Sequence, residues 1–181
     1  MLKVLLVCDR KNWAYDSISR ALQKYNTDKS LLLSLFYLKG NESHLKALST
    51  KYDVFFFLGW QLILEESKNI LFRRKSFQKK YRFIDDERIL TGVHSHHAWD
   101  KGLSTPERDV VPPQELVSAL SHFKGVNAVS QRLEKLFVRA GLKDCRYTPN
   151  GVDDSLFKNK ELLAKNKDFI TIGFSGNKKH D

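Results

Sequence analysis

The feature that most constrains this chain is an alternation: apolar runs of strand length recur along it, and most are followed by a segment of helical character. LKVLLVC (2–8) is almost continuously apolar, as a parallel strand covered on both faces must be. The next segment places Ile18, Ala21, Leu22 and Tyr25 at helical spacing. LLLSLFYL (31–38) reads as a second strand and ESHLKALSTK (42–51) as a short helix. YDVFFFLGW (52–60), rich in aromatic and β-branched residues, reads as a third strand and ILTGVHS (89–95) as a fourth. Pro112-Pro113 opens QELVSALSHF at a position where helices favour proline. GVNAVS (125–130) and CRYTP (145–149) are further strands around the clearest helix. There Ser130 is the N-cap, Leu133, Leu136, Phe137 and Ala140 form the buried stripe, and Gly141 ends the helix. The stretch 61–82 fits no period cleanly, and a strongly basic helix is the preferred reading.

This order predicts an α/β fold, a Rossmann-like parallel sheet with helices on both faces. Ligands of such sheets bind outside the carboxyl ends of the strands, near the topological switch point. The residues placed there are Asp9 to Tyr15, Gly59-Trp60 and His94 to Asp100.

The 181 residues suffice for one domain with a sizeable core, and 41% apolar and 29% charged residues mark a globular chain, not a disordered one. A formal net charge of +10 predicts attraction to anions: nucleotide phosphates, lipid headgroups, nucleic acid or acidic glycans. Cys8 and Cys145 make no disulfide framework and read as small core residues in a reducing compartment. No apolar run has the length of a signal peptide or a transmembrane helix. The expected location is cytoplasmic, with peripheral attachment to the inner face of a membrane as a further option.

Three stretches carry a resemblance. NAVSQRLEKLFVRAGL…YTPNGVDDSLF, FITIGFSGN (169–177) and ILTGVHSHH resemble the retaining GT-B glycosyltransferases of the group 1/family 4 class. The first is similar to that class's Ser-capped helix followed by Pro-Asn-Gly-Val-Asp, the second to the opening strand and glycine turn of its donor domain, and the third to a strand ending in His. The resemblance implies an acceptor-side Rossmann-like domain over 1–157, then a linker and the first strand of an incomplete donor-side domain over 158–181. It implies transfer of a sugar from a nucleotide-sugar donor to a hydroxyl-bearing glycan or lipid-linked acceptor, in cell-surface glycan or glycolipid synthesis. A chain of this extent would be catalytically incomplete: a truncated piece, a split gene product whose partner chain supplies the donor domain, or a remnant. No metal or other cofactor is expected. Two rivals stand beside this reading: a GT-B-fold sugar-nucleotide epimerase, and a basic non-enzymatic module for anionic membrane or nucleic acid.

The candidate site residues follow. His94 is the candidate catalytic residue, an imidazole able to orient an acceptor hydroxyl at a strand end; His96 and His97 take that role if the register shifts. The HSHH run also has the spacing of a zinc pair, but residue 98, where a carboxylate is commonly part of that pattern, is Ala. In CDRKNWAYDS, Asn12 and Trp13 offer an amide and a stacking surface, although Trp13 also fits as a helix-start residue against the sheet. Asp16 is either a hydroxyl acceptor or a first-turn acid favoured by the helix dipole. No glycine stands between Met1 and Gly40, unlike the glycine-rich loop usual in the class. The resemblance assigns Asn150, Gly151, Asp153, Ser175, Gly176, Asn177 and Lys178 to the donor side. Asn150-Gly151 permits a left-handed redirection after Pro149, and an ordinary surface turn is the alternative. The basic, aromatic-interleaved run 68–83 fits a solvated helix with an apolar side in the core, an anionic membrane surface, or single-stranded nucleic acid, in that order.

Overall fold

The computed structural model describes residues 1–69, 74–95, 99 and 110–151, all within the first of the chain's two units, Met1–Gly151; the second is Val152–Asp181. The expected boundary after 157 lies outside the described residues.

The strands β1 (Leu2–Cys8), β2 (Leu31–Tyr37), β3 (Val54–Phe57), β6 (Ile89–Val93), β7 (Gly125–Ala128) and β8 (Cys145–Tyr147) form one parallel sheet. Their order is β2-β1-β3-β6-β7-β8. Helices α1 (Ala14–Tyr25), α2 (Glu42–Leu48), α4 (Gln114–Leu120) and α5 (Gln131–Arg139) join them. The expected Rossmann-like α/β architecture is therefore the observed one. The cause is visible in β1, where Val4 to Cys8 are all buried: a strand with helices over both faces leaves no solvated side for polar residues. One face, with Leu5, Val7, Phe55 and Phe57, joins the core of α2, α4 and α5. The other, with Leu6, Cys8 and Leu58, packs under Tyr15 and Ile18 of α1.

Helix α5 has the ends its sequence announced. The Ser130 hydroxyl accepts from the Leu133 N–H at 3.2 Å, and Leu133, Leu136 and Phe137 are buried. At its far end Gly141 takes φ of 101°, and the N–H groups of Gly141 and Leu142 return to the carbonyls of Val138 and Phe137. Both cysteines are buried free thiols; burial pushes each up to about 11, and Cys8 lies 3.1 Å from the Ser19 hydroxyl.

Two expectations are corrected. First, 61–82 is not a basic helix. A single turn, α3 (Trp60–Ile63), leads into an antiparallel hairpin of β4 (Leu64–Asn69) and β5 (Arg74–Lys79). Tertiary anchors override the ambiguous local pattern: Phe77 packs edge-on against Trp60 and Tyr81 stacks on Phe57, while Lys79 pairs with Asp86. Among the described residues of 68–83 there is no helix of the kind that membrane docking assumed. Second, the stripe foreseen on α1 is only in part its buried face: Ile18 packs against the sheet and Ala21 is partly buried. Asp16 and Ser19 are buried, whereas Leu22 and Tyr25 are 40% and 49% exposed. Asp16 is buried because it is satisfied. It accepts from the Asn12 N–H at 2.8 Å, Arg20 Nε at 2.8 Å and the Tyr37 hydroxyl at 2.7 Å.

Strand β2 lies at the sheet edge, yet its sequence is apolar and Leu32 is 41% exposed. Its ladder with β1 uses Ser30 at one end and Leu38 at the other, so the backbone groups of residues 31, 33, 35 and 37 face outward. Three side-chain amides cover most of that row's carbonyls. Asn26 donates to Leu31 O at 3.3 Å, Gln23 to Leu33 O at 2.9 Å and Asn41 to Tyr37 O at 3.2 Å. Asn41 does this from the N-cap position of α2 without capping that helix. An open apolar edge invites strand addition by a second copy. Replacing all three amides by alanine is expected to raise self-association, read by size-exclusion chromatography with light scattering. An unchanged association state in a folded variant would refute the protective role.

Candidate active site

Strand order places the switch point between β1 and β3, because the chain crosses to β2 on one side of β1 and to β3 on the other. Three strand ends converge there: Cys8-Asp9 after β1, Leu58-Gly59 after β3 and His94 after β6. Leu58 N–H bonds to Val7 O at 3.1 Å and holds the first two together.

His94 is half-buried and fixed from two sides. Its Nε2 lies 2.5 Å from Leu58 O, and its ring centroid is 5.0 Å from that of Tyr15. A carbonyl only accepts, so Nε2 carries the proton of that bond. Burial lowers the imidazole's pKa, partly opposed by the Leu58 hydrogen bond, and the ring is neutral near pH 7. In that tautomer Nδ1 is a hydrogen-bond acceptor.

Two glycines make this arrangement sterically possible. A Cβ at Gly92 would lie 2.4 Å from Leu58 O and 2.7 Å from His94 Nε2. One at Gly59 would lie 2.3 Å from the Tyr15 hydroxyl. Tyr15, which the sequence did not single out individually, therefore packs into this junction of strand ends, and Asp9 adjoins it at the end of β1. Burial raises the Tyr15 pKa, and the neighbouring charge of Asp9 adds to it. Asp9 has one buried carboxylate oxygen without a hydrogen-bond partner among the described residues. The sequence signal that could have found Tyr15 was Gly59 itself, a glycine at a strand end that leaves room for a close neighbour.

The loop between β1 and α1 is set by Asn12, at φ of 63° the one non-glycine residue with positive φ among those described. Its N–H is held by Asp16, which thereby serves the loop's shape. Burial pushes the Asp16 carboxyl up, but the hydrogen bonds from Asn12, Tyr37 and Arg20 outweigh it and hold it below its ordinary value. Trp13 stands 53% exposed at the head of α1, with the Arg10 guanidinium 3.4 Å from its ring centroid. It is not tucked against the sheet.

The remaining candidates do not join this cluster in the described structure. Asn150 and Gly151 are exposed beyond β8, and neither adopts the left-handed conformation anticipated for the turn. His96, His97, Asp153, Ser175, Gly176, Asn177 and Lys178 lie outside the described residues. No group of three or more His, Cys, Asp or Glu able to hold a metal occurs among the described residues, and no described helix is long and apolar enough to cross a membrane.

Fold and crevice define a Rossmann-like α/β protein with a candidate ligand site at its switch point. Comparison with protein-family models, with curated proteins and with solved structures gives no match.

Proposed function

We propose that this chain is the acceptor-side part of a GT-B glycosyltransferase, in which the switch-point crevice holds a hydroxyl-bearing glycan or lipid-linked acceptor. The observation that carries the reading is His94: a neutral imidazole, locked in one tautomer by Leu58 O, with an acceptor nitrogen for a substrate hydroxyl. The sequence resemblance around 125–157 and 169–177 supports it. In this reading His94 orients the attacking hydroxyl and Trp13 offers its exposed face to a sugar ring. A donor-side domain, on a longer chain or a partner chain, completes the site for the nucleotide sugar. Cell-surface glycan or glycolipid synthesis is the setting such an acceptor implies.

Calorimetry and thermal shift against a panel of nucleotide sugars test this, on the 181-residue chain and on any longer form that its gene encodes. Binding gained on extension is the expected result. Absence of nucleotide-sugar binding in both forms would overturn the reading.

A further inference from the structure

The rim of the crevice is cationic in a way the proposed chemistry at His94 does not use. The Arg10 guanidinium lies over the Trp13 ring and forms no ion pair among the described residues. Lys11 follows it in sequence and is exposed. Lys39, at the end of β2, is brought to the same loop by its N–H bond to Asp9 O at 2.9 Å. Of the acids nearby, Asp16 is taken by Arg20, Tyr37 and the Asn12 N–H, while Asp9 turns one carboxylate oxygen inward, buried and without a partner among the described residues. Arg10 therefore stacks on an exposed indole, with Lys11 and Lys39 on the adjoining backbone, in a chain of formal charge +10. The contact with Trp13 favours a guanidinium position beside the indole, where its N–H donors can meet an anion.

We propose that the ligand of this crevice is a sugar or polyol bearing an anion, carboxylate or phosphate, next to its hydroxyls. Arg10 takes the anion, Lys11 and Lys39 add charge around it, and the ring rests near Trp13. The proposal rests on the acceptor-site reading above and specifies its substrate class. A neutral acceptor gains nothing from the three cations. An inorganic anion gains nothing from the indole.

The test is titration calorimetry of the full chain with four probes: methyl glucoside, glucuronic acid, glucose 6-phosphate and inorganic phosphate. The expected result is that one or both anionic sugars bind at least about ten-fold more tightly than methyl glucoside. Which of the two binds separates carboxylate from phosphate. Arg10→Gln should abolish that preference, Arg10→Lys should restore part of it, and added salt should weaken it. Circular dichroism establishes that the variants are folded, and Trp13→Phe provides a second route to the site that leaves Arg10 in place. Equal binding of methyl glucoside and the anionic sugars overturns the proposal and leaves the acceptor reading standing. Inorganic phosphate binding as tightly as glucose 6-phosphate, or a preference unaltered in Arg10→Gln, overturns it as an adventitious anion effect. Failure of all three sugars removes both the proposal and the acceptor site.

Discussion

Gly92→Ala is expected to lower stability by about 1–3 kcal/mol, the range for forcing extra volume into a packed region. The added methyl would sit 2.4 Å from Leu58 O, a backbone atom in the chain that leaves β3, and 2.7 Å from His94 Nε2. Backbone there is held by the Leu58 N–H bond to Val7 O, so it cannot retreat without opening the junction of β1, β3 and β6. Urea unfolding measures the loss, and the His94 ring resonances should move in the same variant. Gly59→Ala is the instructive contrast. Its obstacle is the hydroxyl end of Tyr15, a side chain able to swing, so stability should fall less while the crevice changes shape. Equal stability of Gly92→Ala and wild type would refute the close packing of His94 on β6.

The second large effect concerns His94. Under the proposed acceptor-side reading, with a donor-side domain present, His94→Ala is expected to reduce kcat/KM by about 10²-fold, the lower part of the range for a positioned acid–base or hydroxyl-orienting group. A fall in kcat is the signature of that role, and a change in KM alone would argue for binding only. The same residue predicts a pH effect on folding. Its pKa is lowered in the folded state, chiefly by burial, so the unfolded chain binds the proton more readily. The stabilisation due to neutral His94 is fully present above the unfolded histidine value of about 6.5 and is lost as pH falls through the lower folded value. Denaturant unfolding of wild type and His94→Gln should therefore diverge least under acid conditions. A stability difference independent of pH between 5 and 8 would contradict a buried neutral imidazole.

Much of the fold was legible because its strands are buried on both faces and so read as apolar runs without reference to partners. The α5 unit was legible to its ends, since Ser130 and Gly141 act locally and need no tertiary context. The hairpin of β4 and β5 was not. Its two strands carry no clean apolar alternation, and their placement depends on Trp60 and Phe57, residues that meet Phe77 and Tyr81 only after folding. The face of α1 was misjudged for a related reason. Periodicity ranks residues by polarity, while Asp16 is buried through a hydrogen-bond network that includes Tyr37, distant in sequence. At the site, His94 was visible as a strand-end histidine. Its tautomer was not, because that depends on a carbonyl of another strand. Asp9 and Tyr15 required the sheet order, which brings the ends of β1, β3 and β6 together.

The two inert thiols give this fold a clock of its own. Cys8 lies in β1 near one edge of the sheet, and Cys145 lies in β8 at the other. Both are shielded, and the high pKa of each leaves almost no thiolate at neutral pH. An alkylating reagent can therefore reach either only when its strand opens. The ratio of the two modification rates distinguishes fraying of the β8 edge, which exposes Cys145 alone, from cooperative unfolding, which exposes both at one rate. The order in which the sheet comes apart can be timed with the native sequence, with no probe introduced.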